Sequence, residues 1–236
     1  MKKSRVKICG FIGTTLIDYP GRVAAALFVA GCNFRCPFCH NPSLVVRTAD
    51  CEAIPQETVF AELERRAGFL DGVAVSGGEP LIQPDILELL QKLRSTGLAV
   101  KVDTNGARPD VLKEALHRNL VDFISMDLKA AKENYNRAAG VVVDPDLIDQ
   151  SIDLIIHGGP AHEFRTTMVP GIVAPEDLPA ITARIEGAAR FVLQQFRPDV
   201  TLDALMKAVK PYAASVLHDA ARAARGHFAQ VDIRGA

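Results

Sequence analysis

Six times along this chain a short apolar run gives way to a turn and then to a stretch with helical spacing. The apolar runs lie at 22–30, 72–76, 98–102, 121–128, 163–169 and 190–196. The amphipathic stretches lie at 56–69, 84–95, 109–118, 145–157, 175–186 and 202–224, and several of them open on proline, which suits a first helical turn. Strand–helix repetition with short connections calls for parallel strands and right-handed crossovers, because each helix must pack back onto the sheet. Counting alone leaves an open doubly wound sheet and a curved, incomplete barrel both standing. In either, functional residues belong on the loops after the C-terminal strand ends.

Composition permits such a core and excludes other classes. The 236 residues suit one domain, and 48% apolar against 23% charged leaves no case for global disorder. Lys plus Arg number 27 against 28 Asp plus Glu, so the chain lacks the basic excess of a nucleic-acid or membrane-surface binder. The longest apolar stretch, 23–31, is too short to span a bilayer. Met1-Lys2-Lys3 begins like a signal n-region, but Asp18 and Pro20 interrupt the residues downstream of it and no small-residue cleavage site is evident. The cytoplasm is the expected compartment.

Five cysteines, Cys9, Cys32, Cys36, Cys39 and Cys51, make a poor disulfide framework, being odd in number with three in eight positions. Those three come directly after the first strand, as Cys32-Asn33-Phe34-Arg35-Cys36-Pro37-Phe38-Cys39-His40. Thiolates so close in sequence converge only if the loop wraps around something, and a multi-iron cluster is large enough. Such clusters usually take four cysteines, so three would leave one iron open to a non-protein ligand. Other readings compete. Cys36-Pro37-Phe38-Cys39-His40 matches a c-type haem attachment pattern, expected in an exported protein, and His40 would complete a Cys3His zinc site. Cys9 and Cys51 lie outside the motif and read as inert small hydrophobes.

The run Cys32-x3-Cys36-x-Phe38-Cys39 resembles the signature of the radical S-adenosylmethionine (SAM) superfamily. In that family three cysteines hold a [4Fe-4S] cluster whose open iron is chelated by the amino and carboxylate groups of SAM. The aromatic before the last cysteine, Phe38 here, lies near the adenine. The segment 15–22 (Thr-Leu-Ile-Asp-Tyr-Pro-Gly-Arg) and His40-Asn41-Pro42 narrow the likeness to the glycyl-radical-enzyme activases. Among these the chain is most similar to the anaerobic ribonucleoside-triphosphate reductase activating proteins. The likeness is specific through Pro80, extends to Phe196 and thins beyond it. It implies an incomplete (β/α)6 barrel of parallel strands and outer helices, a single domain over 1–236. The core would span about 22–196, with a C-terminal helical extension at about 201–236 and a candidate last strand at 228–233.

The later strand ends carry further candidates. Ser76-Gly77-Gly78-Glu79-Pro80 ends the second strand. Paired glycines let backbone approach a ligand, or simply make a turn, and Glu79 adds a carboxylate able to accept from an ammonium. The resemblance makes Gly77, Gly78 and Glu79 the element that binds the methionine amine of SAM. Asp103 and Thr104 come after the third strand, ahead of an ordinary Asn-Gly turn. On the fourth, Ser125, Asp127 and Lys129 alternate with Ile124, Met126 and Leu128, so three polar groups share one face. A parallel strand covered on both sides should read continuously apolar. Either Asp127 and Lys129 form a structural ion pair, or they serve a ligand. In the resembling family the matching aspartates, Asp103 and Asp127, help hold a monovalent cation, and the matching lysine, Lys129, lies near the SAM carboxylate. Arg165 has the fork geometry to reach that carboxylate, or is a satisfied surface arginine. Gln194 and Gln195 are candidates for adenine contacts.

The function implied is reductive cleavage of SAM to a 5′-deoxyadenosyl radical that takes a hydrogen atom from a glycine of a partner glycyl-radical enzyme. That partner is expected to be an anaerobic ribonucleotide reductase, with a flavodoxin or ferredoxin as electron donor, and no acid or base residue is assigned. Two other functions stand beside it: a radical SAM enzyme acting on a small molecule, such as a queuosine-pathway synthase, and a zinc-binding interaction module. The segment 16–22 favours the activase over the small-molecule enzyme.

Overall fold

The apolar runs become strands wherever β-branched residues and alanines succeed one another without a breaker. In the computed structural model, which describes residues 5–236, the order is β1 (Ile8–Thr15), β2 (Ala24–Val29), α1 (Pro42–Val46), α2 (Gln56–Arg65), β3 (Gly72–Gly77), α3 (Ile86–Arg94) and β4 (Ala99–Thr104). Next come α4 (Pro109–His117), β5 (Phe123–Asp127), α5 (Tyr135–Ala139), α6 (Pro145–His157), β6 (Ala161–Met168), α7 (Leu178–Ala183), β7 (Arg190–Gln195), α8 (Ala214–Ala224) and β8 (Gln230–Arg234). The signal-like start, Met1-Lys2-Lys3, lies outside the described residues. Strand order is the chain order from β1 to β8. Two compact units emerge, one of residues up to 33, 43–104 and 110–124, the other of 34–42, 105–109 and 125–236.

In the first unit β2, β3 and β4 are parallel, in the register Ala24↔Gly72 and Gly72↔Ala99. Val73, Ala74 and Val75 are wholly buried, as a parallel strand covered on both faces requires. On α3 the spacing of Ile86, Leu89, Leu90 and Leu93 presents one buried stripe, and each fully buried leucine contributes about 2 kcal/mol of burial. The strand β1 is an addition to the expected set and pairs antiparallel with β2. Two of the cysteines also depart from expectation. Cys9 on β1 and Cys51 form a disulfide across 42 residues, with Cα atoms 5.8 Å apart. The segment after Cys51 lies along β1, where the Ile54 amide donates to the Ile8 carbonyl at 2.9 Å. This corrects the reading of both cysteines as inert hydrophobes.

In the second unit β6, β7 and β8 are parallel, in the register Phe164↔Phe191 and Phe191↔Val231, so the candidate last strand is present. Along β6, Phe164, Thr166 and Met168 are buried on one face, and Glu163, Arg165 and Thr167 take the other. The helix α6 begins under Asp144, whose carboxylate accepts from the Asp146 amide at 3.0 Å, and buries Ile148, Ile152 and Ile155. The stretch 202–224 is not one helix. A short 3-10 turn, Ala204–Ala208, is separated from α8 by Lys210-Pro211, because proline removes a backbone donor and keeps the residue before it out of helical geometry.

Candidate functional site

In the first unit the loops leaving β2 and β3 lie backbone against backbone. The Gly78 amide donates to the Val29 carbonyl and the Glu79 amide to the Gly31 carbonyl, each at 2.8 Å. A Cβ at Gly78 would collide with the Gly31 carbonyl, and Gly77, with φ of 115°, would drive one into the backbone of Val29. The glycine pair is thus required by the approach of one loop to another, at the root of the cysteine loop that starts with Cys32. Gln83 donates to the Ala30 carbonyl at 2.8 Å and ties the same root to the turn after β3.

Glu79 is 1% exposed. Its Oε1 accepts from the Leu81 amide at 3.0 Å, capping the turn Pro80–Ile82, and from the Thr104 hydroxyl at 2.8 Å. That links the ends of β3 and β4, two positions singled out separately in the sequence. Beside Thr104, Asp103 pairs with the ammonium of Lys101, a buried lysine that sequence reasoning passed over. Its signal was the single charge within the apolar run 98–102.

In the second unit the tip of the cysteine loop is held from two sides. The Arg35 amide donates to the Ala139 carbonyl at 2.7 Å, and the Asp203 amide donates to the Pro37 carbonyl at 2.9 Å. The Cys39 amide donates to the Cys36 carbonyl at 3.0 Å, a tight turn that sets those two cysteines three residues apart. Cys36 and Phe38 are buried, and Cys39 is half-buried. Burial pushes the Cys36 thiol up, and the neighbouring Lys129 charge works against that push.

Asp127 is held at both oxygens. Lys129 Nζ lies 2.9 Å from Oδ2, and Arg165 Nε donates to Oδ1 at 2.7 Å. Burial alone would raise its pKa, but the two cations overcome that and keep the carboxyl well below its usual range. Burial likewise opposes the Lys129 charge, yet Asp127 and Cys36 hold its pKa above the ordinary lysine value. One step down the same faces, Ser125 donates to Glu163 at 2.9 Å. Glu163 is fully buried and accepts a two-pronged bond from Arg234 of β8, at 2.9 and 2.8 Å. The polar ladder of β5 therefore meets a polar ladder on β6, rung by rung: Ser125 with Glu163, Asp127 with Arg165. Sequence reasoning found the Asp127 rung and missed Glu163 and Arg234, whose partners are 38 and 71 residues away. Gln195 donates to the Tyr212 carbonyl at 2.7 Å.

The three motif cysteines keep their thiols, the disulfide being made by Cys9 and Cys51. An all-sulfur donor set on one short loop suits an iron–sulfur cluster. His40, the candidate zinc ligand, is exposed, and among the described residues no three His, Cys, Asp or Glu side chains are arranged to hold a single metal ion.

Comparison with known proteins agrees with this donor chemistry. The profile of the Radical SAM superfamily matches residues 27–181. A Methanocaldococcus jannaschii protein, named as a candidate glycyl-radical enzyme activating enzyme, is 29% identical over 96% of this chain and 95% of its own. The pyruvate formate-lyase-activating enzyme of Listeria monocytogenes is 36% identical over 123 residues, 48% of this chain and 49% of its own. Among solved structures, Streptococcus suis SuiB bound to its precursor peptide SuiA superposes with a TM-score of 0.68 at 16% identity. It covers 87% of this chain and 47% of SuiB, a likeness of fold.

Proposed function

Since the chain belongs to the Radical SAM superfamily, we propose that it is the activating enzyme of a glycyl-radical enzyme, with a backbone glycine of that partner as its substrate. The observation that carries the reading is the thiol-bearing Cys-x3-Cys-x2-Cys loop in a chain that aligns along nearly its whole length with a relative named for that activity. When bound, a [4Fe-4S] cluster and SAM supply one-electron cleavage of the sulfonium, whose product removes a hydrogen atom from the substrate.

The residues of this chain bind and orient. Cys32, Cys36 and Cys39 hold the cluster, and Phe38 lies against the adenine. Glu79, fixed through Oε1 by Leu81 and Thr104, takes the methionine amine beside Gly77 and Gly78. Lys129 and Arg165, oriented by Asp127, face the SAM carboxylate. Asp103 and Asp127 are the residues for a monovalent cation. Each already has a basic partner within its own unit, Lys101 and the Lys129–Arg165 pair, which lessens the need for one. An anaerobic ribonucleotide reductase is the proposed partner, a flavodoxin or ferredoxin the electron donor, and the cytoplasm the compartment.

The test mixes anaerobically reconstituted protein with a candidate glycyl-radical enzyme, SAM and a reductant. A persistent glycine-centred paramagnetic signal is expected, and Cys36→Ala should abolish both the iron and the signal. Release of 5′-deoxyadenosine with no radical on any partner would remove the activase reading. SAM cleavage that survives Cys36→Ala would remove the cluster assignment itself.

A further inference from the structure

Tyr135 opens α5 with its ring 2% exposed, yet its hydroxyl has no hydrogen-bond partner. A buried hydroxyl left unpaired is costly and asks for an acceptor. The phenol is held in place. The Arg184 guanidinium carbon lies 5.3 Å from the ring centroid, and Arg184 is itself anchored on Asp149 by bonds of 3.0 and 2.6 Å.

The helix that carries Tyr135 is clipped to the cysteine loop. Its last carbonyl, Ala139, takes the Arg35 amide, and at Gly140, with φ of 67°, a Cβ would collide with the Arg35 carbonyl. Arg35 is the residue before Cys36. The side chains whose charge acts on the phenol are Lys129, Arg184 and Cys36, and the Lys129 amide also acts on it without completing a hydrogen bond. An ammonium, a guanidinium and an amide N–H can only donate. Of these neighbours, the Cys36 sulfur alone can accept.

We propose that the Tyr135 hydroxyl donates a hydrogen bond to sulfur on the Cys36 side of the bound cluster and so raises the reduction potential of that cluster. This rests on the assignment of Cys32, Cys36 and Cys39 as cluster ligands. The physical ground is that one added electron increases negative charge on the sulfurs, and a donor aimed there favours the reduced state. Tyr135 thereby sets how readily the cluster accepts an electron from its donor, without touching the substrate.

The experiment is a redox titration of anaerobically reconstituted protein without SAM, poised with dye mediators and read by the paramagnetic signal of the reduced cluster. Tyr135→Phe keeps the ring and its contact with Arg184. Its iron and sulfide content should match the unaltered protein. At the wild-type midpoint its reduced-to-oxidised ratio should fall by about threefold or more. A second measurement needs no substitution. Replacing tyrosine by 3-fluorotyrosine makes the phenol a stronger donor and should raise the midpoint, and the rise should vanish in Tyr135→Phe, which retains Tyr19 and Tyr212. An unchanged midpoint in both experiments, with full iron content, overturns the proposal while leaving the cluster assignment intact. Wild-type protein that takes up no cluster overturns both.

Discussion

Two stretches of this molecule, one within β4 and one running off the end of β5, each carry an aspartate and a lysine two residues apart, in opposite order and to different ends. On β4, Lys101 comes first and lies deep, its side chain 2% exposed, with Asp103 at 14% toward the strand end. At the end of β5, Asp127 comes first, with Lys129 two residues beyond the strand, and the two are more open at 27% and 18%. A lysine buried as deeply as Lys101 is tolerated only while its counter-charge is present. Asp127 and Lys129 keep some contact with water, so either charge can be lost at smaller cost to the fold. The same pairing of charges is therefore costly to break in one place and cheaper to break in the other.

The contrast can be broken by substitution. Asp103→Asn should show the largest loss, about 3 kcal/mol of unfolding free energy, by removing a carboxylate paired with a deeply buried ammonium. Adding Lys101→Met should restore most of it, and a denaturant titration in which the double variant is no better than the single would refute the role given to that pair. Arg234→Ala should cost less, about 2 kcal/mol, because Glu163 keeps Ser125 and the nearby Arg190. Asp127→Asn should cost about 1 kcal/mol or less at neutral pH, yet raise the SAM concentration needed for half-maximal cleavage. If Asp127→Asn destabilises as much as Asp103→Asn, the two pairs are not different in kind.

The smallest effect is a pH dependence. The carboxyl of Asp127 is held below its ordinary value in the folded chain, so its stabilisation is present in full above about pH 5 and fades as pH falls further. The stability gap between wild-type protein and Asp127→Asn should accordingly be constant from pH 7 to about pH 5 and narrow in more acid solution. A gap that widened on acidification would contradict the depressed pKa.

What the chain disclosed in advance was local. The Cys-x3-Cys-x2-Cys spacing, the period-two face of Ser125, Asp127 and Lys129, and the Gly-Gly-Glu turn are each legible within ten residues, and the main strands lie where their apolar runs do. The strand β1 escaped because Gly10 and Gly13 interrupt its apolar alternation, and the stretch 202–224 looked continuous because amphipathic spacing persists across Pro211. Long-range partners left no trace. Nothing near Cys9 announces Cys51, and nothing near Glu79 announces that Thr104 will hold its carboxylate. Such pairings arise from register between strands, which a single sequence does not encode locally.

The contact of Gly78 with Gly31 has a practical bearing on anyone transplanting the cysteine loop into another scaffold. The loop's root is cut to fit a neighbour that has no side chain, so the excised piece should bring that neighbour along. A recipient with alanine at the matching position would push the backbone just before Cys32 out of line.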